Sequence, residues 1–218
     1  MRRPVRACRI IAAALAVVAA GTACGAHTAD YSSVWTTSAN STSATAVSTT
    51  PTPIAQYLAG VGVTGQQIPL DKVTDLTVTL PRPAGWTTYS NPNFSPGTEA
   101  IAKNNTYPTA MVMVFKLDGN FDIPAALEHA DDDAELSKNF TRLNYSNDDF
   151  KGFPSSMIEG SYEHSGTRLH TYNRIVFPVT SRFDRFLVQF TVTTLAEQAA
   201  AAAPDVQKVI EGFSVAVK

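Results

Sequence analysis

Cys24 carries the clearest chemical signal in the chain. It follows Gly21-Thr22-Ala23, and small residues before a cysteine form the cleavage site of a bacterial lipoprotein. The thiolate of Cys24 would attack a lipid donor, and the small residues would fit the peptidase groove. Gly21 stands where such sites often carry Leu. The alternative is an ordinary cleaved signal with a stray cysteine. Two weaker constellations come later in the chain. Glu159 and Glu163 with His170 could run acid/base chemistry, although a solvent-facing sheet side also explains them. Trp86, Tyr89 and Phe94 lie in a proline-rich connection, Pro81 to Gly97. They could line a ligand mouth or seal the end of the core.

The elements around Cys24 support its reading. Arg2, Arg3, Arg6 and Arg9 precede an apolar run of 11 residues, Ile10 to Ala20. Basic residues, a short apolar run and a small-residue cut define a secretory signal, here residues 1–23. The run is shorter than the roughly 20 residues a membrane-spanning helix needs. Cleavage before Cys24 changes the charge. The whole chain has 218 residues and a net charge of −2, from 17 basic and 19 acidic side chains. The mature part loses four arginines and becomes −6. Such a balance excludes a typical nucleic-acid binder. Cys8 leaves with the signal, so the mature chain would hold one cysteine, blocked by lipid, and no disulfide. Acyl chains on Cys24 would hold the protein at a membrane, on the outer face of the cell membrane.

Residues 24–53 carry the lipid and then a tether. Between 25 and 53 there are 14 Ser/Thr among 29 residues and no Lys or Arg. With little to bury, this stretch is expected to be disordered. Folding is expected over 54–218. Ile54 to Leu58 suits a short helix. Leu76, Val78 and Leu80 alternate with threonines as a strand, and Ala110 to Leu117 reads as a buried strand. Asp122 is an N-cap with Pro124 in the first turn, opening a helix whose stripe is Ile123, Leu127, Ala130 and Ala134. Phe186, Val188, Phe190 and Val192 form a further strand. A helix over 196–203 is expected to break at Pro204. A second helix then follows, with Val206, Val209 and Ile210 facing in and Gly212 as its C-cap, and Phe213 to Val217 is strand-like. Ser165-Gly166 as a two-residue turn sets a hairpin register that places Glu163 opposite Arg168, Ser161 opposite His170 and Glu159 opposite Tyr172. Strands mixed with few helices, not strictly alternating, suggest an α+β class with an antiparallel sheet.

Other motifs fail on context. Gly60-Val61-Gly62-Val63-Thr64-Gly65 matches G-x-G-x-x-G, but a helix precedes it and Pro69 follows. It reads as a glycine-rich turn after a helix. Asp131-Asp132-Asp133 lacks the turn glycine and distal glutamate of a calcium loop, and reads as the solvated face of a helix. His164 and His170 fall on opposite hairpin faces, so no zinc site is expected. Neither H-E-x-x-H nor G-x-S-x-G occurs.

Several short stretches together resemble the mycobacterial LpqT/LpqN lipoprotein family. They are Asp75-Leu76-Thr77-Val78, Pro83-Ala84-Gly85-Trp86, Tyr107-Pro108-Thr109-Ala110-Met111, Phe153-Pro154-Ser155-Ser156-Met157 and Asn173-Arg174-Ile175-Val176-Phe177-Pro178. The resemblance implies a domain similar to the Mog1/PsbP-like fold, a twisted antiparallel β-sheet flanked by helices. It implies a cell-envelope role without catalytic residues or cofactor. Its implied partners are an envelope lipid or a lipid-export membrane protein, and a host innate lipoprotein receptor that senses the acylated Cys24. The alternative is a cryptic hydrolase of envelope esters or glycans that uses Glu159, Glu163 and His170.

Overall fold

The computed structural model describes residues 51–218. The signal, the lipidation cysteine Cys24 and nearly all of the tether lie outside the described residues. The elements run α1 (Ile54–Gly60), β1 (Thr64–Gln67), β2 (Leu76–Thr79), β3 (Trp86–Thr88), β4 (Glu99–Lys103), β5 (Thr106–Asp118), α2 (Ile123–Leu127), α3 (Asp132–Glu135), β6 (Thr141–Ser146), β7 (Ser155–His164), β8 (Thr167–Val176), β9 (Arg185–Leu195), α4 (Ala199–Gly212) and β10 (Ser214–Val217). An open, fully antiparallel sheet has the order β3-β4-β5-β9-β8-β7-β6, with β1 pairing the far end of β5. A second small sheet pairs β10 with β2. The class is α+β, as the strand and helix pattern predicts.

The β7–β8 hairpin has the predicted register. Glu163 faces Arg168, Ser161 faces His170 and Glu159 faces Tyr172. Ser165 and Gly166 have φ of 49° and 79°, the left-handed pair that a tight hairpin turn requires. The same device joins β4 to β5 through Asn104 and Asn105, with φ of 53° and 57°. That hairpin is not anticipated by the sequence reading, although two consecutive asparagines are a fair signal for it. The glycine-rich segment behaves as read: α1 ends at Gly60, Gly62 turns with φ of 80°, and β1 follows.

Each face of the sheet has its own cover. On one face Val112, Val114, Val188, Phe190 and Val192 pack with Phe213, Val215 and Leu76, under α4 through Val206, Val209 and Ile210. Phe190 and Phe213 stack at 4.2 Å between ring centroids. We call this the α4 face. On the opposite face α1 and α2 cover Met113, Phe115, Leu117 and Leu187 with Ile54, Leu58 and Ala126.

Three expectations need correction. The helix from Asp122 does not run on to Ala134. Asp122 caps it as predicted, accepting from Ala125 N at 2.8 Å. The chain then tightens into three-residue turns, and α3 is separate. The cause is Asp131, which turns inward to accept from Ser156 Oγ at 2.9 Å and is only 8% exposed. At the other end of the chain, Pro204 does not break its helix. A short turn at Ala196–Gln198 precedes α4, which passes through Pro204. Proline deprives the Ala200 carbonyl of its helical partner, and both residues lie on the exposed side, where water can replace it. Gly212 is the last residue of α4 and not its cap. A Cβ there would come within 2.9 Å of Pro81, so glycine is needed for close packing.

Candidate functional site

Strand alternation separates the three candidate aromatics. Trp86 pairs across β3–β4 with Lys103 and packs into the core of the α4 face. Tyr89 follows β3 and donates its backbone N–H to Ala100 O at 2.8 Å. It packs with Ala100, Ala102 and Met111 on the opposite face, and Phe94 joins it edge-on at 5.9 Å. The structure therefore brings Tyr89 and Phe94 together and puts the sheet between them and Trp86.

What lies beside Tyr89 and Phe94 is unusual for a core. Thr109 on β5, Thr193 on β9 and Thr171 on β8 form one row across three strands. The next row is Met111, Thr191 and Asn173, and the one after is Met113, Gln189 and Ile175. Thr109, Thr171, Asn173, Gln189, Thr191 and Thr193 are all buried. We call this side the threonine face. Thr191 Oγ1 donates to Asn173 Oδ1 at 2.9 Å, whereas Thr171 Oγ1 is buried with no hydrogen-bond partner. Apolar clusters flank the rows: Met113, Phe115 and Leu187 on one side, Tyr89, Phe94 and Met111 on the other. Sequence reasoning missed these six residues. The alternation of Gln189, Thr191 and Thr193 in β9 marks one polar side, but does not show that this side is buried.

Glu159 and His170 do meet, with His170 Nε2 3.0 Å from Glu159 Oε1. Glu163 stands apart, paired to Lys138 at 3.1 Å. Hydrogen bonds from Asn139 and Lys138 hold its carboxyl below the usual range. The polar hairpin side is not simply solvent-facing, because α4 lies over it. Glu159 and His170 line a pocket of about 100 Å³ with Tyr172, Val192, Ala203, Val206 and Ile210. Ligand sites usually span about 300–1,000 Å³, so the pair has little room for a substrate.

The acidic run also differs from its reading as a solvated face. Asp132 accepts from Thr52 N at 2.9 Å and from His129 Nδ1 at 2.9 Å. Asp133 accepts from the backbone of Ile54, and burial pushes its carboxyl up to about 6. Burial raises Asp131 as well. His129 stacks on Tyr57 of α1 at 4.3 Å. The cluster is a clasp that fixes where the chain enters the domain. Among the described residues no group of His, Cys, Asp and Glu could hold a metal, and no helix is long and apolar enough to cross a membrane.

The family described as Probable lipoprotein LpqN matches residues 50–216. The chain belongs to that family. Lipoprotein LpqT of Mycobacterium tuberculosis (strain CDC 1551 / Oshkosh) is 49% identical over 211 residues, covering 95% of this chain and 93% of that one. Lipoprotein LpqT of Mycobacterium leprae is 44% identical over 209 residues, covering 95% of each. These names describe lipoproteins and not enzymes. The crystal structure of LpqN, described as involved in cell envelope biogenesis of Mycobacterium tuberculosis, aligns with a TM-score of 0.64 at 17% identity. It covers 77% of this chain and 98% of that one, which shows the shared fold. This LpqN-family chain is therefore a mycobacterial-type lipoprotein.

Proposed function

We propose that the chain is a non-catalytic binding or accessory protein of the cell envelope. It is exported and anchored by an acylated Cys24 to the outer face of the cell membrane. Its ligand is an envelope lipid, held on the threonine face with Tyr89 and Phe94 at one side, and its partner is a lipid-export membrane protein. The acylated N-terminus is the part a host lipoprotein receptor would sense.

The single observation that carries this reading is the composition of the threonine face. A buried hydroxyl without a partner costs about 1–3 kcal/mol in proteins. A sheet face selected only for stability would carry aliphatic side chains there. Instead three threonines form one row, Thr171 is unpartnered, and apolar clusters stand on both sides. Polar centre and apolar flanks match an amphipathic molecule, which must displace whatever now buries these side chains. Each buried unsatisfied group in a native protein calls for an explanation; Trp86 Nε1 in the α4 face is another such group, so it is the row of threonines, and not one lone hydroxyl, that sets this face apart. Native mass spectrometry of the mature chain, isolated from an envelope fraction, should show a lipid retained above control levels. A chain that carries none would remove the binding role.

The hydrolase reading gains little from the structure. The Glu159–His170 pair faces a small pocket that α4 covers with Ala199, Ala203, Val206 and Ile210. Hydrolysis that survives Glu159→Gln, Glu163→Gln and His170→Ala together would exclude that assignment of residues.

A further inference from the structure

The loop from Phe177 to Asp184, which joins β8 to β9, presents an aromatic ring to solvent. Phe183 is 84% exposed and has φ of 64°. A bulky residue in the left-handed region is strained, so the turn must be held by other bonds. It is. Phe183 N donates to Thr180 O at 2.9 Å, Thr180 N donates to Asp184 O at 2.9 Å, and Asp184 N donates to Thr180 Oγ1 at 3.1 Å. The ring therefore stands on a rigid tip. Strain kept at an exposed position points to a use for that position.

We propose that Phe183 is a docking tip that seats the folded domain on the phospholipid bilayer to which the chain is anchored. The inference rests on the lipid-anchor reading above. Three observations favour a bilayer over a protein. The first is position. β5 and β8 end, and β7 and β9 begin, at one end of the sheet. The loop of Phe183 lies at that end. So does Ser156, the partner of the clasp that holds the chain where it enters from the anchor. The second is area. A protein partner of ordinary size covers about 800 Å² per side. Here one ring stands out after Ser181 and Arg182, which are polar. A single ring is a weak site for a free molecule, but a tethered domain meets the membrane at high effective concentration.

The third is charge. The cations around the tip are Lys116, Arg182, Arg185 and Lys218, and the acids are Asp75, Asp118 and Asp184. Arg182 pairs with Asp75 and lies 3.5 Å from Asp184. Lys116 pairs with Asp184 at 2.9 Å. Arg185 donates to Phe121 O at 2.9 Å. Arg182, Lys116, Asp75 and Asp184 are thus matched among themselves, so the charges nearest the ring do not call for an anionic headgroup. Docking should then depend little on anionic lipid or salt.

The test uses the acylated mature chain in phosphatidylcholine vesicles with brominated acyl chains. Phe183→Trp should add an emission component that is blue-shifted and quenched by the bromines, beyond what Trp35 and Trp86 contribute. An added component that stays at the wavelength of water-exposed Trp and is unquenched, in a chain that still floats with the vesicles, overturns the docking tip and leaves the anchor standing. A chain that fails to float overturns the anchor, and the tip with it. In cells, p-benzoylphenylalanine at position 183 should cross-link to phospholipid on illumination. A discrete protein adduct instead overturns the bilayer as partner.

Discussion

The two faces of the sheet are buried to a similar degree by different chemistry. The α4 face holds Val112, Val114, Val188, Phe190 and Val192 under one amphipathic helix. The threonine face holds Thr109, Thr171, Asn173, Gln189, Thr191 and Thr193 between two apolar clusters. The same strand, β9, supplies both: Phe186, Val188, Phe190 and Val192 to one side, Gln189, Thr191 and Thr193 to the other. A pattern that usually means one wet side here means two buried sides. The α4 face is packed with aliphatic and aromatic side chains, and the threonine face is the one to which we assign recognition.

The difference can be tested by substitutions measured in chemical denaturation. The largest effect is expected at Phe190, which is fully buried and stacked on Phe213. Phe190→Ala should lose about 3–5 kcal/mol. A smaller loss is expected at Thr191→Val, which leaves Asn173 Oδ1 without its donor and should cost about 1–3 kcal/mol. A change of opposite sign is expected at Thr171→Val. It removes the unpartnered hydroxyl and should stabilise the fold by about 1 kcal/mol. A loss at Thr171→Val comparable to that at Thr191→Val would show that the threonine row is a structural network after all.

The acidic clasp adds a pH signature. Burial raises the Asp133 carboxyl from its ordinary 3.8 to about 6, so the folded chain holds this proton more tightly than the unfolded one. The stability this group contributes is full below about pH 3.8. It is lost as pH rises through about 6. Asp133→Asn keeps an oxygen for the Ile54 N–H and should flatten that fall, read as the denaturation midpoint across pH 4–7.5. A slope equal to that of the parent would remove Asp133 from the clasp.

Much of the fold was readable because local signals were strong. Ser165-Gly166 fixed one hairpin register pair by pair, and Asp122 with Pro124 fixed a helix start. Other features depend on distant partners. Which of Asp131, Asp132 and Asp133 turns inward is decided by Ser156, 25 positions from Asp131, and by the backbone of Thr52 and Ile54. Trp86 and Tyr89 are three residues apart, yet strand geometry sends them to opposite faces. The threonine row joins β5, β8 and β9, and no local window contains all three strands.

The most direct measurement is the lipid retained per folded chain, by native mass spectrometry, for the parent and for Asn173→Leu. Asn173 lies at the centre of the threonine face, opposite Thr191 in β9. Loss of retained lipid in a variant that still unfolds cooperatively is the result expected if the threonine face is a binding wall. Undiminished lipid in that variant would contradict it.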